Sequence, residues 1–199
     1  QVIEQGHEIG ANLRKPVIVA PLGHVGLSGN TEFPHLHLNV MLNQTKVDPF
    51  AYGAAPGSCG GGQSLWNDAA RKVLQYRRGE VLNAGFAGEP VKMEQVESGE
   101  VQHMSPTPTS PALVAYVRAI GLEAGEAIEL SITAPDGSTF VERREQPLGE
   151  SKAQWLQMLG KKRGATPWPA GTYTAQYKVI RGDKGTLEKT FTVNLAPSG

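Results

Sequence analysis

Cysteine is almost missing from this chain. Cys59 is the one thiol in 199 residues, so no disulfide can close within it. It stands beside Gly60-Gly61-Gly62, either as an unpaired loop thiol or as the partner of a cysteine elsewhere. Long apolar runs are also missing, so no segment reads as a membrane-spanning helix. No sign of charge dominates: 19 Lys and Arg balance 19 Asp and Glu, with no basic run or stripe. That removes the electrostatic footprint of a nucleic-acid partner. The glycines have no three-residue period, which excludes a collagen-like chain. A charged-then-apolar leader is missing too, and the chain opens on Gln1. The expectation is that a leader has been removed or that these residues belong to a longer protein.

What is present is a turn-rich globular composition: 39% hydrophobic residues, 24 Gly and 14 Pro. It leans towards β structure. Three regions follow from the patterning. Residues 1–55 hold short strands around Val2–Gly10 and Pro16–Pro21. A loop over Gly26–Thr31 follows, and then the clearest alternation in the chain, His35–Leu42. There Leu36, Leu38, Val40 and Leu42 share one face, while His35, His37, Asn39 and Met41 share the other. One face is expected on a core and the other lining something polar. Residues 56–110 connect. They comprise a flexible loop over Pro56–Gln63, a helix over Leu65–Tyr76 capped by Ser64, a strand over Val81–Ala87 and an extended Pro-rich linker over Ser105–Pro111. Residues 111–199 read as an immunoglobulin-like β-sandwich, because turn-separated segments alternate around Ile128–Ile132, Tyr173–Val179 and Leu187–Leu195. A helix is expected to interrupt it near Lys152–Leu159.

The chemistry sits on the His35-Leu36-His37 strand. Residues two apart on a strand project from one face, so both imidazoles point the same way. One ring can ligate zinc while its neighbour reaches the open coordination position, where it holds or deprotonates the bound water. The preceding loop is rich in Gly, Ser and Thr, which permits close backbone approach to a substrate. Ser28, Asn30 and Thr31 are its candidate substrate-binding side chains. Two partly exposed sheet histidines with no ligand are the plain alternative.

Gly26-Leu27-Ser28-Gly29-Asn30-Thr31-Glu32-Phe33-Pro34-His35-Leu36-His37-Leu38 resembles the signature of the lysostaphin-like (LytM-type) zinc metallopeptidases. Val47-Asp48-Pro49-Phe50 is similar to the segment that follows it in that family, and Gln5–Gly10 to the strand that precedes it. The resemblance covers roughly residues 2–52. It implies a partial antiparallel β peptidase core of the duplicated hybrid motif type, followed here by the sandwich and one or two short helices. It implies Zn2+ as cofactor, His37 as a metal ligand and His35 as the catalytic histidine. It also implies the peptides of peptidoglycan as substrate and a periplasmic or extracellular location.

Three departures qualify those implications. The family's other two ligands come from an upstream His-x-x-x-Asp, which this chain does not contain. Phe33 stands where a Gly is usual, and Asn39 where Glu is frequent. About a dozen extra residues near Ala11–Leu22 separate the matching strands. The expectation is a zinc endopeptidase whose N-terminal half lies upstream, with the chain by itself inactive and a weak zinc binder. The alternatives are a non-catalytic LytM-like regulator of wall hydrolases, or a module binding wall or partner through the C-terminal sandwich. Ser28 lacks the glycine and strand-turn-helix setting of a nucleophile elbow. Glu142–Glu145 reads as a solvated charge run. Trp66, Trp155 and Trp168 read as packing residues, with an exposed ligand platform as the other reading of Trp168.

Overall fold

The computed structural model describes residues 35, 39–57, 61–74, 77–182 and 185–197. The chain divides into two compact units, residues 1–75 and 76–199. The strands expected over Val2–Gly10 and Pro16–Pro21 lie outside the described residues.

In the first unit, β1 (Val40–Leu42) and β2 (Thr45–Val47) pair antiparallel with Val40 opposite Val47 and Leu42 opposite Thr45. Asn43 and Gln44 make the turn at φ 48° and 65°. Two positive φ values in a two-residue hairpin loop match the right-handed twist of the strands, and asparagine tolerates that conformation well. A helix, α1, spans Asp68–Val73. It is shorter than the helix expected over Leu65–Tyr76, and its cap is Asn67 rather than Ser64. The Asn67 side chain accepts the Ala70 N–H at 2.8 Å, which satisfies one of the open donors of the first turn. The expected apolar face is not buried: Leu65 is 49% and Val73 79% exposed.

The second unit is mainly β. Its strands are β3 (Glu80–Ala87), β4 (Ala112–Leu122), β5 (Ala127–Thr133), β6 (Thr139–Arg144), β7 (Lys152–Lys162), β8 (Gly171–Ile180) and β9 (Thr186–Leu195). All pair antiparallel, in one sheet of order β3-β4-β7 and another of order β6-β5-β8-β9. The sheets share a core. Leu113, Ala115, Val117 and Ala119 of β4 meet Ile128, Leu130 and Ile132 of β5 and Tyr173, Ala175, Tyr177 and Val179 of β8. Each fully buried Val, Leu or Ile among them contributes about 1.5–3 kcal/mol. The alternation read in β5, β8 and β9 therefore lies in register across one sheet.

A short helix, α2 (Met93–Ser98), and a 3-10 turn (Glu100–His103) cover the outer face of the three-stranded sheet. Val96 and Val101 pack there against Tyr116, Leu156 and Met158. This layer explains two differences from the sequence reading. Lys152–Lys162 is a strand, not a helix. Its two faces are both covered, so its apolar residues run without the alternation of a half-exposed strand. Val81–Ala87 is a strand as expected, but it pairs with β4, so the compact unit begins near residue 76 and not at 111. Opposite Tyr116, Gly85 leaves room for the phenol, since a Cβ would sit 2.6 Å from the Tyr116 hydroxyl unless that ring shifted.

The Pro-rich segment is not a free linker. Gly88 N–H donates to Met104 O at 2.8 Å, and Trp168 N–H donates to Pro108 O at 2.8 Å. Trp168 Nε1–H donates to Ser110 O at 3.1 Å. Trp168 is buried and stacks edge-on with Phe140 at 5.6 Å. The packing reading of this residue holds, and the exposed platform does not. The charge run of Glu142–Arg144 lies exposed on β6, an edge strand, where charge discourages edge-to-edge pairing.

Candidate functional site

His35 is exposed, and Asn39 leads into β1. His37, Ser28, Asn30 and Thr31 lie outside the described residues, as do Leu36 and Leu38, so the mutual placement of the two histidines is not part of the description. In the described part of the expected strand, Val40 is half-buried, Leu42 is 47% exposed and Met41 is 54% exposed. The strand assignment there is Val40–Leu42, and its aliphatic face is not covered at Leu42.

The segment after the hairpin is well organised. Asp48 Oδ1 accepts the Phe50 N–H at 2.8 Å, closing an Asx turn around Pro49. Asp48 is thus a turn residue. Leu65 N–H then donates to Pro49 O at 2.9 Å, and Tyr52 and Gln63 exchange backbone hydrogen bonds at 2.9 and 2.8 Å. Phe50 and Trp66 meet at 5.8 Å. The chain therefore folds back on the Asp-Pro-Phe segment. A hollow of about 320 Å³ opens beside it, lined by Lys46, Asp48, Tyr52 and Ala55 among others.

Among the described residues no group of three or more His, Cys, Asp or Glu is placed to hold a metal. His103, the other described histidine, is an exposed residue of the 3-10 turn in the second unit. The described donor set is therefore short of the three protein ligands that a catalytic zinc takes.

Two buried charge pairs in the second unit were not singled out by the sequence. Arg118, on the outer face of β4, lies 3.0 Å from Glu97 of α2, with side-chain exposures of 8% and 13%. Its guanidinium also donates to Gln154 Oε1 at 3.0 and 3.2 Å and to Asn83 Oδ1 at 3.4 Å. An arginine inside the apolar run Ala112–Leu122 was the available signal, because a cation there must find acceptors. The second pair is Arg181 with Glu126 at 3.2 Å, exposed 9% and 7%. Glu126 also accepts the Glu123 N–H at 2.9 Å. Burial pushes the nearby Tyr177 phenol far above its ordinary range. The Glu126 charge adds to that shift and Arg181 opposes it.

Comparison with known proteins adds little. No family model matches the chain, and no curated protein matches it. Among solved structures, the crystal structure of the C-terminal domain of wzt is similar at a TM-score of 0.36 and 9% identity. It covers 61% of this chain and 75% of that one. A likeness of that size carries no argument about function. Among the described residues, no helix is long and apolar enough to cross a membrane.

Proposed function

We propose that residues 1–55 are the C-terminal portion of a LytM-type peptidase domain, and that the protein is a zinc-dependent peptidoglycan endopeptidase. The observation that carries this reading is the Pro34-His35-Leu36-His37-Leu38 motif with its Gly26-Leu27-Ser28-Gly29 loop before and its Asp48-Pro49 segment after. The β1–β2 hairpin and the Asx turn at Asp48 give the segment that trails the motif a defined backbone.

In this reading His37 holds the metal. Zinc held there would supply a water-derived nucleophile at neutral pH. His35 would accept a proton or donate a hydrogen bond beside the scissile carbonyl. Ser28, Asn30 and Thr31 would be the candidate contacts for the peptide. The substrate places the protein in the periplasm or outside the cell.

The test is metal content and hydrolysis in the full-length gene product. One zinc per molecule is expected by atomic emission, lost in His37→Ala. In His35→Ala zinc should be retained while release of peptides from purified sacculi falls at least about a hundredfold, the typical contribution of a positioned proton-transfer group. Zinc that survives His37→Ala, or hydrolysis unaffected by either change, overturns the reading.

A further inference from the structure

The second unit carries a groove of about 290 Å³ over the outer part of β7. Val114, Met158 and Gly160 form its apolar floor, and Arg143, Lys161 and Lys162 stand around it. No carboxylate is among its lining residues. The three cations are poorly neutralised. Arg143 is 58% exposed and meets Glu145 only at 3.8 Å. Lys161 and Lys162 are exposed, and neither forms a salt bridge among the described residues. The Lys161 ammonium lies 5.0 Å from the Phe140 ring centre, so its stem is held against the edge of the unit.

The same stretch is an open sheet edge. β7 is the end strand of the order β3-β4-β7, with Val114 opposite Gly160 and Ala112 opposite Lys162. Alternate residues of such a strand direct N–H and C=O groups away from their partner. At position 160 a side chain is excluded, because a Cβ would run into Leu113 O and sit 2.7 Å from Val114 Cα, both backbone of β4, so Gly160 presents bare backbone to the groove.

We infer that this edge takes up an extended, carboxylate-bearing peptide by strand addition. Backbone groups of Met158–Lys162 supply the hydrogen bonds, and a small apolar side chain of the peptide rests over Gly160. Its carboxylates meet Arg143, Lys161 and Lys162. Strand addition takes affinity from main-chain hydrogen bonds and specificity from alternate side chains. Five residues at about 3.3 Å each give a footprint of about 16 Å, the length of a pentapeptide strand. The lysines repel a cationic segment and attract an anionic one. The groove lies wholly in the second unit, so the inference is independent of the zinc reading.

The test is titration of the full chain with two capped peptides, Glu-Val-Glu-Ala-Glu and Lys-Val-Lys-Ala-Lys. Fluorescence anisotropy reports binding and amide exchange reports its location. The acidic peptide is expected to bind, more tightly at low salt, and to slow exchange over residues 158–162; the basic one is not. Lys161→Gln with Lys162→Gln should weaken binding about tenfold, the effect of losing two exposed charge pairs. Both lysines are exposed, and the wild-type exchange map serves if the double variant misfolds. Four results overturn the inference: no binding at millimolar peptide, equal binding of both peptides, binding with exchange unchanged at 158–162, or burial of this edge by a second copy of the chain in sedimentation.

Discussion

The pair Arg118–Glu97 ties α2 to the three-stranded sheet, and its removal has a calculable cost. Glu97→Leu leaves the Arg118 guanidinium buried with two neutral acceptors, Gln154 and Asn83. Breaking a buried pair from one side costs about 3–5 kcal/mol. Because those amides still accept from the guanidinium, the low end applies, about 3 kcal/mol. With a urea m-value of about 1.5 kcal/mol/M, the midpoint should fall by about 2 M. Arg118→Met removes the charge and leaves Glu97 without a cation at 13% exposure, so it should cost as much or slightly more. The double variant Arg118→Met with Glu97→Leu should regain most of the loss, since apolar groups of similar volume replace the pair. The assay is urea denaturation followed by far-UV circular dichroism and by the fluorescence of buried Trp168, on both single variants and the double. A coupling energy of at least about 2 kcal/mol is expected from that cycle. Coupling below about 0.5 kcal/mol would refute the reasoning, because the two side chains would then act independently.

Two further outcomes follow from the core. Burial raises the folded pKa of Tyr177 above its ordinary 10.0. Its contribution is therefore complete below pH 10 and is lost as pH rises further, because the unfolded chain ionises first. Stability should fall as pH climbs above about 10, and Tyr177→Phe should flatten that slope, with Tyr116 and Tyr173 retaining a smaller part of it; an unchanged slope in alkaline urea titrations would count against burial as the cause. Trp168→Phe loses the hydrogen bond to Ser110 O and leaves that carbonyl without its indole donor. A loss of about 1–3 kcal/mol is expected from the same urea curves, with faster amide exchange at Thr107, Thr109 and Ser110.

Much of this protein was settled by local pattern. The alternation of Ile128, Leu130 and Ile132 and of Tyr173, Ala175, Tyr177 and Val179 marks strands with one face in a core, and those side chains are buried. Pro135-Asp136-Gly137-Ser138 is a turn because Asp136 accepts the Ser138 N–H and Gly137 takes φ 83°. Asp48-Pro49 is one for the same kind of reason. Residue identity alone raises His35 and His37 as candidates, and His37 lies outside the described residues. Tertiary structure decided the rest, wherever burial came from a third element. Trp155 to Leu159 carries no strand period because α2 covers one face and the core the other. The Pro-rich segment looks like a linker until Trp168, some sixty residues later, binds its backbone. Arg118 is tolerable in an apolar strand only because Glu97, Gln154 and Asn83, distant in sequence, converge on it. Local sequence dictates which faces are apolar and where the chain turns; which face a neighbour covers depends on contacts between residues far apart, and no local pattern encodes those.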